Sequence, residues 1–119
     1  MKFAFVFRTA PHGRSASREG LDALLAATAF CDENEISVFF MDDGILNLVK
    51  NQHPELILQK DFISAFKLLD LYGIEQRYIC RQSLEAFGLD TDQLIINCEK
   101  SHRTLLMERL RQTEKLLVF

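Results

Sequence analysis

The residue in this sequence that could most clearly take part in a reaction is Cys80. It ends the apolar run Tyr78-Ile79-Cys80, and a predicted short helix follows it directly. The N-terminal end of a helix carries partial positive charge and free N–H groups, which favour a thiolate over a thiol. A thiolate in that place can carry a persulfide. The competing interpretation is a small buried residue that fills a strand end, and it is favoured because reactive cysteines are the minority.

Basic side chains occur close to this cysteine in the sequence. Arg77 and Arg81 lie three residues before it and one residue after it. If the first predicted strand neighbours the third, Arg8, His12 and Arg14 reach the same rim of the sheet. Such a rim of positive charge would further stabilise a thiolate.

The segment 9–17, Thr-Ala-Pro-His-Gly-Arg-Ser-Ala-Ser, is rich in turn-forming residues and predicts a loop before the first helix. A loop at the start of a helix can hold an anion or a small molecule. The same composition also suits an exposed connector in which Pro11 and Gly13 set the turn. Neither G-x-G-x-x-G nor G-x-x-x-x-G-K-[ST] occurs, so nucleotide binding has no motif support.

The other cysteines, Cys31 and Cys98, have no activating residue nearby in the sequence, and packing is the expected role of both. The three cysteines are far apart, are odd in number and form no CxxC pair. We therefore expect neither a disulfide framework nor a zinc site.

Metal and cofactor sites have no support elsewhere in the sequence. The histidines are scattered, and none pairs with a cysteine or a second histidine at ligand spacing: His12, His53 and His102. Asp42-Asp43-Gly44 is explained most simply as the turn that ends a strand. We expect no cofactor and no metal.

The elements that must position these residues alternate between sheet-like and helix-like periodicity. Strands are predicted at 2–7, 36–41, 75–80, 94–98 and 116–119, and helices at 18–31, 45–50, 61–72, 81–87 and 101–113. Ser17, Asp61 and Ser101 are the expected N-caps, while Gly73 and Gly88 are the expected helix stops.

This alternation predicts an α/β fold in which crossover connections produce a mainly parallel sheet. We expect residues 1–119 to form one three-layer α/β/α domain with five strands. Chemistry in such a fold occurs at the carboxyl ends of the strands. The loop 9–17, the turn 42–44 and the Cys80-Arg81 junction are all expected there.

Overall charge and hydrophobicity exclude several classes of protein. The net charge is −3, whereas proteins that bind nucleic acid directly usually present a basic face. There is no apolar run long enough to cross a bilayer, and the short apolar stretch at 3–7 is predicted to be a strand rather than a secretory signal. We therefore expect a cytoplasmic protein.

The predicted helix 61–72 is apolar around most of its circumference, with a narrow polar stripe formed by Ser64, Lys67 and Asp70. A surface helix normally has one apolar face. Such a helix is expected to be buried on two sides, with the sheet on one side and a partner subunit on the other. The alternative is that neighbouring elements of the same chain cover the second side. Charge at Phe66 or Leu69 should then disrupt assembly or folding.

Several of these segments together resemble one known family. Thr9-Ala-Pro-His-Gly13 followed by 18–26, Phe66-Lys-Leu-Leu69 with Leu71-Tyr72, and Gly88-Leu-Asp90 are similar to the DsrF/TusC family of DsrE/DsrF/DsrH-like sulfur-relay subunits. The resemblance spans residue 2 to about residue 98.

The resemblance implies a DsrE/DsrF/DsrH-like fold and a structural subunit that is not an enzyme on its own. Its partners would be TusB-like and TusD-like subunits in a heterohexamer, a dimer of trimers that receives sulfur from TusA and passes it on through TusE. The end use would be 2-thiolation of the tRNA wobble uridine. The persulfide cysteine would belong to the TusD-like subunit, and Cys80 would only occupy the equivalent place. The alternatives are a direct persulfide carrier through Cys80 and an anion- or small-molecule-binding domain.

Overall fold

The computed structural model describes residues 2–11, 15–50 and 63–119, and five strands of these ranges form one sheet. The strands are β1 (Phe3–Phe7), β2 (Ile36–Phe40), β3 (Arg77–Cys80), β4 (Glu99–Ser101) and β5 (Lys115–Val118). They lie in the order β4-β3-β2-β1-β5, and all four strand pairings are parallel. The predicted α/β class with a five-stranded parallel sheet is confirmed.

The helices connect these strands. They are α1 (Ala16–Ala27), α2 (Leu68–Leu71), α3 (Arg81–Ala86) and α4 (Arg103–Arg111). Short 3₁₀ turns occur at Glu33–Glu35, Asp42–Leu48, Ile63–Lys67 and Thr91–Gln93. No described helix combines the length and the apolar character needed to cross a membrane.

The strand order decides which face each connection covers. From β1 to β4 the chain moves one strand at a time in the same direction, whereas the step from β4 to β5 returns across the whole sheet. Because parallel crossovers are right-handed, the first three connections lie on one face and α4 lies on the other. We call these the first face and the second face.

The first face carries the larger core. Phe7 stacks on Phe40 with ring centroids 5.4 Å apart, and Phe66 meets Phe7 edge-on at 5.3 Å. Helix α1 adds Leu21 and Leu24 to this cluster. Offset and edge-on arrangements are the favourable geometries for aromatic pairs. Three crossover segments therefore seal this side of the sheet.

The second face carries a smaller core beneath α4. It consists of Ala4, Val6, Phe39, Met41, Tyr78, Cys80 and Leu106, with Leu110 packed at its margin. Alternate residues of a strand point to opposite faces, which is why Cys80 and Tyr78 lie here while Ile79 joins the first face.

The predicted fourth strand, 94–98, was wrong. Leu94 and Ile96 are buried in the core of the first face, and Leu94 makes an isolated antiparallel bridge with Val49. The strand itself is the polar segment Glu99–Ser101 at one edge of the sheet. Charged residues on a short edge strand discourage pairing with other chains, so hydrophobicity does not reveal this strand.

Two predicted N-caps were also wrong. Ser17 lies inside α1, fully buried, and its hydroxyl donates to the carbonyl of Thr9 at 3.0 Å. Ser101 lies in β4, and His102 caps α4 by accepting the Thr104 N–H at its ring Nδ1, 3.2 Å away.

The predicted helix 61–72 is only partly confirmed, since the structure has a 3₁₀ turn, Ile63–Lys67, that continues into α2. Phe66 and Leu69 are fully buried in the core of the first face, so the chain itself covers them. Leu71, in contrast, is 75% exposed. The N-cap Asp61 lies outside the described residues.

The two predicted glycine stops are confirmed. Gly73 and Gly88 have φ values of 73° and 66°, the left-handed conformation that commonly ends a helix and that glycine adopts without strain.

Candidate functional site

Cys80 lies at the carboxyl end of β3, where α3 begins, as the sequence predicts. Its side chain points into the second face beneath α4 and is 0% exposed. The thiol donates to Oε1 of Gln82 across 3.8 Å, and the same oxygen accepts the backbone N–H of Arg103 at 2.9 Å. Packing and a hydrogen bond therefore hold the sulfur in place.

A cluster of three charged side chains, Arg8, Asp42 and Arg103, lies at the same edge of the sheet. Arg8 donates from Nε and Nη2 to Oδ2 of Asp42, each at 2.8 Å. Arg103 donates from Nη1 to Oδ1 of the same carboxylate, also at 2.8 Å. We call these residues the Arg-Asp-Arg cluster. It joins the ends of β1 and β2 to the start of α4.

Asp42 sits in an uncommon backbone conformation, with a φ of 52°. Left-handed backbone is unfavourable for most residues, although asparagine and aspartate tolerate it better than others. The strain is compensated by the Asp42 N–H, which donates to the hydroxyl of Ser83 at 2.8 Å, and by the two arginines. Asp42 is thus tied to three separate segments of the chain.

The turn after β2 also requires its glycine. A Cβ atom on Gly44 would lie 1.7 Å from the carbonyl oxygen of Phe7, a separation that no side chain can adopt. Asp42-Asp43-Gly44 is therefore the predicted strand-ending turn. It is also where the backbone after β2 passes close to the end of β1.

The charges of the Arg-Asp-Arg cluster reinforce each other. The hydrogen bond from Arg103 lowers the pKa of Asp42, Arg8 adds to this effect, and partial burial opposes it. The same bond to Asp42 raises the pKa of Arg103, and the nearby Cys80 is a smaller cause of that shift. At neutral pH the cluster carries two positive charges and one negative charge.

The remaining cysteines are not part of this cluster. All three cysteines are free thiols, and Cys31 is half-buried beyond the end of α1. Burial raises the pKa of the Cys98 thiol to about 12, which makes Cys98 a poor nucleophile at neutral pH. Cys98 precedes β4 rather than lying in a strand.

Of the predicted basic residues within the described ranges, the structure brings Arg8 to the site and places Arg77 and Arg81 elsewhere. Arg77 is the first residue of β3, so it lies at the opposite end of the strand from Cys80. There it pairs with Asp70 and donates to the carbonyl of Asn97 at 2.8 Å. Arg81 is exposed and pairs with Glu85 within α3. His12 and Arg14 lie outside the described residues, as does the middle of the proposed anion-binding loop.

Sequence reasoning missed Arg103, Gln82 and Ser83. Arg103 was hidden because the fourth strand was predicted too early, which moved the end of β4 away from it. Gln82 and Ser83 are the second and third residues of α3, directly after Cys80, and that position could have indicated them. Asp42 was found only as a turn residue.

The site is built to hold a thiol still rather than to expose it. Sulfur transfer requires an acceptor thiolate to reach the outer sulfur of a donor persulfide, and the rate depends on access. Cys80 has the strand-end position of a reactive cysteine without that access. In the described part of the chain, no group of three His, Cys, Asp or Glu side chains is arranged to hold a metal ion.

Comparison with known proteins places the sequence in context. A model described as the DsrE/DsrF-like family matches residues 1–119. A Haemophilus influenzae protein named "Protein TusC homolog" is 64% identical over 119 residues, covering all of both chains. The Pasteurella multocida protein of the same name is 57% identical over the same coverage. "Protein TusC" of Escherichia coli O157:H7 is 54% identical over 89 residues, covering 75% of this chain and 73% of that protein.

A solved structure supports the fold independently. The crystal structure of the ychN protein from E. coli superposes with a TM-score of 0.82, covering 100% of this chain and 99% of the other. The two sequences are 21% identical, so this likeness concerns the fold alone.

Proposed function

The chain belongs to the DsrE/DsrF-like family, and from that membership we propose that it is a non-catalytic subunit of a sulfur-relay complex. The names of its full-length relatives support a role of the TusC kind in the relay. In this proposal a neighbouring subunit carries the persulfide, and this chain supplies structure around it.

The burial of Cys80 is the observation that carries the proposal. In persulfide transfer an acceptor thiolate attacks the outer sulfur of the donor, a new S–S bond forms, the old one breaks, and the donor leaves as a thiolate. That attack needs an accessible, deprotonated sulfur. Cys80 is 0% exposed, and its thiol is hydrogen-bonded to Oε1 of Gln82, so it lacks the access that this attack needs.

Exposed apolar side chains give this chain surface to share with other subunits. Leu71, Leu116 and Val118 are each at least half exposed, and they lie in α2 and β5, on different sides of the sheet. Solvent-exposed apolar surface of this kind is typical of protein–protein contacts.

We further propose that residues 1–119 act as one domain in a cytoplasmic heterohexamer with TusB-like and TusD-like subunits. The complex would take sulfur from TusA and deliver it through TusE to the 2-thiolation of the tRNA wobble uridine. This chain would make no direct contact with nucleic acid, consistent with its net charge of −3.

Substitution of Cys80 in the assembled complex tests the proposal. Cys80→Ser keeps a small side chain whose hydroxyl can still donate to Gln82, so the complex should assemble and relay sulfur at nearly the normal rate. Cys31→Ser is the matched control for removal of a free thiol. Loss of sulfur transfer from an intact Cys80→Ser complex would make Cys80 the carrier and overturn the proposal.

Solution mass tests the assembly. Light scattering after size exclusion should give two copies of each subunit when this chain is co-expressed with its TusB-like and TusD-like neighbours. A chain that elutes separately from both neighbours would contradict the proposed complex.

A further inference from the structure

The second face contains an open groove between α4 and β5. Its volume is about 110 Å³. The apolar part of its lining comes from Val6, Met41, Met107, Leu110, Leu116 and Val118. Helix α4 packs over β3 and the middle of the sheet and covers Ala4 and Val6 of β1, but it leaves the β5 edge of this face uncovered.

The residues on the β5 side of the groove are unusually exposed for apolar side chains. Leu116 is 50% exposed and Val118 is 53% exposed, and within the described residues β5 pairs only with β1. The neighbouring residue Leu117, which points to the first face, packs against the core there. A bare edge strand with outward apolar residues is a surface that proteins normally cover.

The size of the groove suits one side chain rather than a free metabolite. A cavity of about 150 Å³ holds a benzene molecule, whereas small-molecule pockets usually measure about 300–1,000 Å³. Methionine side chains such as Met41 and Met107 adapt their shape to an incoming group, and methionine is enriched at protein interfaces.

The charged residues that line the groove favour an acidic group beside that side chain. Arg8 and Arg103 are the charged residues that line it. Asp42 accepts one N–H of Arg103 and two of Arg8, while a guanidinium has five. Donors on both arginines therefore remain for another acceptor, and the two positive charges exceed the single carboxylate between them.

We propose that the α4–β5 groove is the docking site for an apolar side chain of a neighbouring relay subunit that is accompanied by an acidic residue. The apolar side chain enters between Met107 and Val118, and the carboxylate pairs with Arg8 and Arg103. Arginine–carboxylate pairs add direction and strength to an otherwise apolar contact. This inference rests on the proposed function, because the occupant is another subunit of the complex.

A second copy of this chain fits the surface less well. A symmetric dimer brings the same patch of both copies together. The groove of each copy would present two arginines, and its described lining contains no acidic residue to meet those of the other copy. Charge complementarity therefore favours a different subunit as the occupant.

The test is the affinity of this full chain for its co-purified TusB-like and TusD-like neighbours, with lysine substitutions in the groove. Leu116→Lys and Val118→Lys should each weaken binding about tenfold or more, because each would bury a charged ammonium against the apolar side chain of the partner. Leu105→Lys is the matched control, since Leu105 is an exposed residue of α4 that does not line the groove. It should bind like the wild type.

A second variant tests the charge separately from the apolar contact. Arg8→Gln should weaken binding about fivefold to tenfold and reduce its dependence on salt concentration, while Arg8→Lys should retain most of the affinity and the salt dependence. This readout remains informative even if a lysine on β5 disturbs the strand.

The outcomes separate the inference from the proposed function. If the wild type joins its neighbours and all groove variants join equally well, the docking site is wrong while the proposed function stands. If the groove variants abolish only self-association of the isolated chain, the occupant is a second copy and the inference is overturned. A wild-type chain that does not bind its neighbours removes the proposed function and this inference together.

Discussion

The two faces of the sheet are covered to very different extents. Three crossover segments seal the first face over a core rich in phenylalanine, whereas α4 is the helix that covers the second face in the described part of the chain. The difference follows from topology, since a strand order of β4-β3-β2-β1-β5 sends three connections to one side and one to the other. The first face stabilises the fold, and the second leaves surface free for a partner.

The surface expected to contact another subunit differs between the sequence and the structure. The sequence predicts the interface on helix 61–72, yet Phe66 and Leu69 of that segment are buried in the chain's own core. The exposed apolar residues on the second-face side lie instead in β5, at Leu116 and Val118, and in α4, at Leu105 and Met107.

The largest expected effect is on the first face. Phe66→Ala should lower the free energy of unfolding by about 3–5 kcal/mol, because it removes the ring that packs against Phe7 and Phe40 and leaves a cavity. Urea denaturation measures the change. Leu71→Ala on the same segment is the control and should stay within about 0.5 kcal/mol. Equal losses in both variants would mean that Phe66 is not a core residue.

The next effect is on the second face. Leu106→Ala should lower the free energy of unfolding by about 2–5 kcal/mol, because Leu106 is a fully buried contact of α4 with the sheet. It should also loosen the helix above Cys80 and speed alkylation of that thiol. Mass spectrometry after timed alkylation measures the rate. An unchanged rate in a folded Leu106→Ala variant would show that α4 does not protect the cysteine.

A smaller loss of stability is expected from substitution in the Arg-Asp-Arg cluster. Asp42→Ala loses both arginine contacts and places alanine, which tolerates left-handed backbone less well, at a φ of 52°. It should therefore lower the free energy of unfolding by about 1–2 kcal/mol. Asp42→Asn keeps a residue that tolerates the backbone and should cost less. Thermal unfolding compares the two variants, and identical losses would rule out a contribution from the backbone.

The cluster also predicts a pH dependence. Arg103 and Arg8 lower the pKa of Asp42 in the folded protein below its ordinary value of 3.8. The stabilisation is therefore complete above the unfolded pKa of about 3.9 and is lost as the pH falls through the folded pKa. Asp42→Asn should remove this part of the acid sensitivity. A variant that loses stability in acid as steeply as the wild type would contradict the pairing.

The smallest expected effect on stability is at β5. Leu116→Ser should change the free energy of unfolding by less than about 0.5 kcal/mol, because the side chain is half exposed in the isolated chain. The same variant should bind the neighbouring subunits more weakly. A large loss of stability would mean that Leu116 serves the fold rather than a partner.

Hydrophobic periodicity was sufficient for the fold class and for four of the five strands. It failed at β4, because Leu94 and Ile96 fill the core without belonging to a strand, while the true strand is polar and lies at the edge. A short edge strand buries little, so its residues carry little apolar signal.

The candidate site was predicted only in part, for a related reason. The place of Cys80 at the end of β3 follows from local pattern. Its burial depends on α4, which comes from a distant part of the chain and crosses back over the sheet. The meeting of Arg103 with Asp42, 61 residues apart, likewise depends on strand order, which local periodicity does not specify.

Sulfur loading of the assembled complex shows whether this chain is a structural subunit or a sulfur carrier. The complex is incubated with a persulfide-loaded donor, and the intact mass of each subunit is measured. We expect a gain of one sulfur on a neighbouring subunit and an unchanged mass for this chain. A gain of one sulfur on this chain that disappears in Cys80→Ser would contradict this expectation and identify Cys80 as the carrier.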